Sequence, residues 1–221
     1  MPTCMFIDVM KQLNIPKGKK VKVLTPMKKG VTWVTFKDYS CLRMVDSAYQ
    51  THFSYFPSRS SKLAGCSVVN GIEQDAAGNE WVLTDKGAVC INKRHTVKGN
   101  YRFLQSVGNT TCLFASDGKM TITGDEMGKN RTFSTIREGD VKYLASSGKI
   151  IFIATDRGVY SYNMTNHVST KLTNVSTNYL RIDSRNRVWA FTETNEVDMI
   201  AGRQVKQLFA TYMPQKISMK N

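Results

Sequence analysis

The chain has 221 residues, and its 31 Lys and Arg against 17 Asp and Glu give a formal net charge of +14 at pH 7. With 41% hydrophobic and 22% charged residues, the composition is globular and excludes a disordered chain. No apolar run approaches the roughly 20 residues of a membrane-spanning helix, and the first residues lack the basic start and apolar core of a secretory signal.

The positive charge is concentrated in two basic clusters, residues 17–29 and residues 93–98. A basic surface attracts anions such as nucleic acid, an anionic membrane or acidic polysaccharide, although a solvated basic face without a partner is the simpler interpretation. The candidate ligand-binding residues of these clusters are Lys28, Lys29, Lys93, Arg94 and His95.

Cysteine and histidine spacing gives no sign of a metal or cofactor. The five cysteines include no Cys-x-x-Cys pair, and none of the three histidines is near another at ligand spacing. Isolated cysteines of this kind behave as small buried hydrophobic residues. We therefore expect no metal site and no cofactor.

The first predicted elements are an outer strand over residues 3–13 and a strand pair over residues 30–45. Residues 51–65 follow as the longest irregular connector, and long loops often carry binding function. Within this connector, Tyr55 and Phe56 are candidates for stacking on a sugar, and Arg59 for a bidentate contact with sulfate or carboxylate. The alternative is a packed insertion that covers one face of the fold.

Residues 71–91 contain a turn, a strand and a second turn. Asp75 to Gly78 predicts a hairpin turn, because Asp can bond to its own backbone and Gly accepts positive φ. A strand from Trp81 to Thr84 follows, then a tight turn ending at Gly87. Residues 88–91 are predicted as the next strand and residues 101–104 as the outer strand.

The same unit recurs along the chain in residues 30–45, 109–122, 149–162 and 186–200. Its anchor positions lie about 39 residues apart, close to the period of roughly 40–50 residues of propeller blades. We interpret the recurring residues as scaffold rather than site. They are Trp33, Gly78, Trp81, Thr84, Gly87, Phe152, Thr155, Gly158, Trp189 and Thr192.

The sequence thus predicts an all-β fold, a β-propeller of about five four-stranded antiparallel blades in a single domain over residues 1–221. Either the ring is self-contained, or it is part of a larger ring, for example a seven-bladed one, that could pair with further blades or with itself. The predicted blade cores lie near residues 21–56, 70–104, 105–135, 141–173 and 178–212.

The copies GIEQDAAGNEWVLTDKGAVCI and LRIDSRNRVWAFTETNEVDMI resemble the two-component regulator propeller repeat, Ile-x-x-Asp-x-x-Gly-x-(Ile/Leu)-Trp-x-x-Thr-x-x-Gly. Glu80 departs from the aliphatic residue that the family prefers, and the copy over residues 109–122 lacks the aromatic residue. The resemblance implies the periplasmic sensor propeller of a hybrid histidine kinase from gut Bacteroidetes, which responds to glycan breakdown products. A chain complete as given would instead be cytoplasmic, since it has no signal peptide.

We therefore expect a non-catalytic ligand-sensing propeller, with an acidic oligosaccharide or another anion as ligand. The alternatives are a protein-binding scaffold, a propeller lactonase or lyase, and a nucleic-acid binder. The acidic residues lie mostly at turns, which argues against a catalytic carboxylate set. No helix-turn-helix, zinc finger or aromatic platform for nucleic acid is recognisable in the sequence.

Overall fold

The computed structural model describes residues 18, 20–26, 30–37, 42–46, 51–55, 66, 68–93, 95–123, 130–202 and 204–209. These residues form twenty β-strands and contain no α-helix. Consistent with this, no helix in the described part of the chain has the length and apolarity to span a membrane.

The strands form five four-stranded sheets, each with its strands side by side in chain order. Sheet 1 contains β1 (Val21–Pro26), β2 (Thr32–Phe36), β3 (Leu42–Val45) and β4 (Thr51–Tyr55). Sheet 2 contains β5 (Val69–Gln74), β6 (Glu80–Thr84), β7 (Gly87–Cys90) and β8 (His95–Lys98). Sheet 3 contains β9 (Phe103–Val107), β10 (Thr110–Phe114), β11 (Lys119–Ile122) and β12 (Arg131–Ser134). Sheet 4 contains β13 (Val141–Ser147), β14 (Ile150–Thr155), β15 (Gly158–Asn163) and β16 (Val168–Lys171). Sheet 5 contains β17 (Thr177–Ile182), β18 (Val188–Thr192), β19 (Val197–Ala201) and β20 (Gln204–Phe209).

The chain divides into two compact units. The first comprises Met1–Phe114 with Ile122–Asn130, and the second comprises Ala115–Thr121 with Arg131–Asn221. Sheets 1 and 2 and the hairpin of β9 and β10 belong to the first unit, whereas sheets 4 and 5 belong to the second. The single domain that the sequence predicts stays a prediction.

In the first unit, apolar side chains of neighbouring sheets form two core clusters. Trp33 of sheet 1 packs among residues of sheet 2, including Ile72 and Val82, and is fully buried. Trp81 of sheet 2 packs in the same way in a cluster that includes Leu113 of β10. The large aromatic residue of one sheet therefore fills the space against the next, as expected between wedge-shaped blades.

The core of the second unit lies between sheets 4 and 5. Its buried members include Ala154 and Val159 from sheet 4 and Leu180 and Val188 from sheet 5. Phe152 stands in sheet 4 at the position that Trp33 and Trp81 occupy in sheets 1 and 2. It packs at the margin of this cluster and is only partly buried. The buried members of this cluster are all aliphatic, and most of them are alanine or β-branched residues.

The predicted all-β class with four-stranded blades is confirmed, and the last outer strand predicted over residues 202–213 corresponds to β20. The outer strand predicted over residues 101–104 is wrong, because β8 is the fourth strand of sheet 2 and Phe103 already begins sheet 3. β8 is short and only Val97 within it is buried, so its apolar signal is weak. The strand predicted over residues 3–13 lies outside the described residues.

Candidate functional site

The first turn of the repeat is held together by its aspartate. In sheet 2, the carboxylate of Asp75 accepts the backbone N–H of Asn79 at 2.8 Å and its side-chain amide at 2.6 Å. The backbone N–H of Gly78 bonds to the Asp75 carbonyl at 3.0 Å, and Gly78 has a φ of 83°. Asp75 is 2% exposed, so this carboxylate serves the turn and is not available to a ligand.

The corresponding aspartate of sheet 5 accepts even more hydrogen bonds. Asp183 accepts the backbone N–H groups of Arg185 and Arg187, the Nε of Arg187 at 2.7 Å and the indole N–H of Trp189 at 3.1 Å. Desolvation acts to raise the pKa of Asp183, but the hydrogen bonds from Trp189 and Arg187 outweigh it and hold the pKa well below its usual range. Asn186, which stands where other copies have Gly, has a φ of 57°.

The threonine of the repeat closes the second turn. The Thr84 hydroxyl donates to the Gly87 carbonyl at 3.0 Å, and the Thr155 hydroxyl donates to the Gly158 carbonyl at 2.8 Å. Thr192 makes the same type of contact across a longer turn, because its hydroxyl donates to the Glu196 carbonyl at 3.2 Å and accepts the backbone N–H of Glu196 at 3.0 Å. These contacts give the repeated threonines a role within the turns.

Steric crowding explains why the second turn of the repeat contains glycine. A Cβ at Gly87 would lie 2.0 Å from the Val97 carbonyl oxygen, and one at Gly158 would lie 2.0 Å from that of Thr173. Both glycines also have positive φ, 132° and 126°. No other residue type fits these positions without displacing backbone.

Glu80, which departs from the family pattern, also has a contact of its own. Its carboxylate lies 3.4 Å from the indole nitrogen of Trp33 in the preceding sheet. The buried indole N–H thereby gains an acceptor that an aliphatic residue at this position would not supply.

Five of the eight predicted binding residues lie outside the part of the chain that the structure describes. Lys28, Lys29, Phe56, Arg59 and Arg94 lie outside the described residues, and Tyr55 is the last residue of β4 but its side chain is not described. The connector predicted over residues 51–65 is in part a strand, because its first five residues form β4.

Two of the predicted binding residues are described in full, and they lie close together in sheet 2. Lys93 is exposed in the turn after β7. His95 begins β8, is half-buried and packs edge-on against Trp81 with ring centroids 5.7 Å apart. His95 is therefore in part a scaffold residue, and its proposed ligand contact stays a prediction.

A group of polar and aromatic side chains lies together where the first strands of sheets 4 and 5 begin, and it forms the candidate site. The first strands of four sheets carry an irregularity after their first residue, and the extra residues are Lys22, Asn70, Lys142 and Asn178. A β-bulge at this point redirects a side chain away from the regular alternation. In the second unit it brings two polar bulge residues into contact.

The Lys142 cluster comprises Lys142, Ser176, Asn178 and Glu193. The Nζ of Lys142 lies 3.1 Å from the Ser176 hydroxyl and 3.2 Å from the Asn178 side-chain oxygen, and it also bonds to the Glu193 carboxylate. The hydrogen bond from Lys142 is the main cause that lowers the pKa of Glu193. The cluster is thus a charged but balanced network of donors and acceptors.

Next to this network lies the aromatic cluster, defined as Tyr143, Tyr179 and Phe191. Tyr143 and Tyr179 directly follow the bulge residues, and their ring centroids are 4.4 Å apart. Phe191 pairs with Tyr179 across the strands, with centroids 5.7 Å apart. Tyr179 is 43% exposed and Phe191 37% exposed, which is unusual for large aromatic side chains in a folded domain.

Sequence reasoning missed both clusters. The sequence-based candidates lie in the connectors and basic clusters, whereas Lys142, Tyr143, Asn178 and Tyr179 lie on the first strands of sheets 4 and 5. Phe191 lies on the second strand of sheet 5, and Ser176 and Glu193 lie in the adjoining loops. A usable signal was present, because Lys142-Tyr143 and Asn178-Tyr179 form the same polar–aromatic pair at equivalent positions. No group of three or more His, Cys, Asp or Glu residues with metal-binding geometry occurs among the described residues.

Solved structures provide the comparison with known proteins. The extracellular domain of the putative one component system BT4673 from B. thetaiotaomicron has a TM-score of 0.66 and 16% identity over 89% of this chain and 29% of that one. The extracellular domain of the putative hybrid two component system BT3049 from the same organism has a TM-score of 0.64 and 12% identity over 86% of this chain and 29% of that one. This chain therefore spans about three-tenths of the length of these proteins.

An enzyme shares the same architecture. Virginiamycin B lyase from Staphylococcus aureus has a TM-score of 0.68 and 10% identity, covering 88% of this chain and 71% of the lyase. No family model matches the chain, and no curated relative matches it. Identities this low show the fold alone, which is that of a β-propeller built of four-stranded blades.

Proposed function

We propose that this chain is a non-catalytic ligand-binding propeller whose role is sensing, and that its ligand binds over the aromatic cluster. The observation that carries the proposal is the exposure of Tyr179 and Phe191 beside the hydrogen-bonding groups of the Lys142 cluster. Exposed apolar surface rimmed by polar groups is typical of a binding surface. The likeness to extracellular domains of putative signalling systems supports a sensing role.

The chemistry of the two clusters favours a saccharide. Aromatic faces can contact the C–H faces of a sugar ring, while Ser176, Asn178 and Glu193 offer donors and acceptors for its hydroxyl groups. Arg181, exposed on the same strand as Tyr179, and the net charge of +14 favour an acidic saccharide over a neutral one. A glycan breakdown product of this kind fits a periplasmic sensor that forms part of a longer receptor.

The test is binding of defined oligosaccharides measured by calorimetry. A sulfated chondroitin disaccharide and the neutral maltotetraose serve as probes, with Tyr179→Ala and Phe191→Ala as variants. Each substitution should weaken binding by about tenfold, the effect of losing one well-packed aromatic contact. Val168→Ala is the matched control, because Val168 is also exposed, at 52%, but lies on β16.

The results separate the alternatives. Tighter binding of the acidic probe supports an acidic ligand, and equal binding of the two probes supports a neutral one. If neither saccharide binds, or if Val168→Ala weakens binding as much as Tyr179→Ala, the proposed saccharide site is rejected. Consumption of either probe during the titration would contradict the non-catalytic role.

A further inference from the structure

A pocket lies in the second unit, and none of its lining residues belongs to the aromatic cluster or the Lys142 cluster. It has a volume of about 360 Å³ and is lined by Arg137, Glu138, Tyr160, Ser169, Thr170 and Lys171. The lining residues come from β15, β16 and the segment that precedes β13. The volume is in the range of pockets that hold small organic ligands, roughly 300–1,000 Å³.

The buried wall of this pocket contains a hydroxyl group without a hydrogen-bond acceptor. Tyr160 is 1% exposed, and its hydroxyl makes no hydrogen bond of normal geometry, although the Lys171 ammonium interacts with it. A buried polar group usually has a partner, because leaving it unsatisfied costs about 1–3 kcal/mol. A tyrosine hydroxyl both donates and accepts, and the neighbouring Lys171 ammonium can only donate to it, so the partner that the hydroxyl proton lacks is an acceptor.

The charged residues of the wall identify the type of acceptor. Glu138 and Lys171 neutralise each other in an ion pair of 2.6 Å, and the Lys171 ammonium also lies 5.7 Å from the centroid of the Tyr160 ring. The guanidinium of Arg137 is exposed and bonds to no other residue that the structure describes. Arg137 therefore leaves one uncompensated positive charge in the wall.

We propose that this pocket binds a small organic carboxylate, which accepts hydrogen bonds from Tyr160 and Arg137. A carboxylate matches the fork of a guanidinium and carries one negative charge. A dianionic phosphate fits less well, because the wall offers one uncompensated positive charge, that of Arg137, and the Glu138–Lys171 pair adds no net charge. The site is independent of the proposed saccharide surface, which uses none of these residues.

The experiment is a titration of the full chain, followed by NMR and calorimetry. The probes are D-glucuronate, benzoate and acetate, with D-glucose as the uncharged analogue and inorganic phosphate as the dianion. At least one carboxylate should bind with a Kd below about 1 mM, and glucose and phosphate should bind more weakly. The shifted resonances should include those of Ser169 and Thr170.

Two variants and one matched control test whether the carboxylate binds in this pocket. Tyr160→Phe removes only the hydroxyl and should weaken carboxylate binding by about tenfold, as should Arg137→Gln. Because the hydroxyl proton has no acceptor in the unliganded protein, Tyr160→Phe should leave the thermal midpoint unchanged or raise it. Arg131→Gln removes an equal charge from β12 and should leave binding unaffected.

Several outcomes would overturn the proposal. It fails if none of the three carboxylates binds, if glucose binds as tightly as glucuronate, or if phosphate binds most tightly. It also fails if Arg131→Gln weakens binding as much as Arg137→Gln, because the effect would then be one of overall charge. A large loss of stability in Tyr160→Phe would show that the hydroxyl already has a partner.

Discussion

Glu73 allows a quantitative prediction about stability and pH. This residue lies on β5 beside Trp81 in the strand register, and burial raises the pKa of its carboxyl from 4.5 to about 7 despite a hydrogen bond from the backbone of Ser106. The folded state therefore binds the proton more tightly than the unfolded state. Stability should fall as pH rises from about 4.5 through 7, and the penalty should be complete above pH 7.

Glu73→Gln removes this titration and keeps the shape and hydrogen-bonding capacity of the side chain. The shift corresponds to at most about 3 kcal/mol, since each pKa unit is worth about 1.4 kcal/mol. In chemical denaturation at several pH values, the variant should match the wild type near pH 4.5 and exceed it by up to that amount near pH 8.

The control for Glu73→Gln is a glutamate with the opposite shift. The ion pair with Lys171 lowers the pKa of Glu138, so Glu138→Gln should give no gain in stability at high pH. The reasoning is refuted if Glu73→Gln changes stability by the same amount at every pH, or if the variant is less stable than the wild type near pH 8.

Three further predictions concern the turns, and each is checked by chemical denaturation. Gly158→Ala should destabilise the fold severely, because its Cβ would lie 2.0 Å from the Thr173 carbonyl oxygen. In the control Gly148→Ala, the new Cβ meets no atom within 4 Å, so the variant should lose only about 1 kcal/mol of stability for its positive φ. Equal losses in the two variants would contradict the steric reasoning. Thr155→Val should cost about 1–3 kcal/mol, because one buried and one partly buried hydrogen bond of the turn are lost. Thr155→Ser should recover most of that loss. Asp183→Asn should destabilise the protein at pH 7, because the hydrogen bonds to the charged carboxylate stabilise the folded state. The stability difference between variant and wild type should shrink as pH falls below about 3.8, where the wild-type carboxylate begins to lose this stabilisation. A stability difference that does not change with pH would argue against a role for the charge.

The fold was predictable because the repeat depends on local chemistry. Asp75, Thr84 and Gly87 each form contacts within a few residues of their own position, so their spacing alone identifies the turns. The strands between these turns then follow from their alternation. The boundary between sheets 2 and 3 was not predictable in this way, because β8 has a single buried residue and a basic, polar remainder.

The candidate sites were much less predictable than the fold. Lys142 and Asn178 are 36 residues apart in sequence and meet only because adjacent sheets carry the same bulge. Nothing local in the sequence of Tyr160 shows that its hydroxyl lacks a partner, since that depends on side chains from other strands. Contacts of this kind arise from the packing of sheets, which the hydrophobic periodicity of the sequence does not predict.

The order of strands within the sheets has a consequence for how the protein is made. Every sheet pairs strands that are consecutive in the chain, so each pairing closes only a short loop and costs little chain entropy. A fold with such a low contact order is expected to form quickly for an all-β protein. Each blade can also acquire its hydrogen bonds while the next is still being synthesised, so that few strand edges are exposed to other nascent chains at any moment.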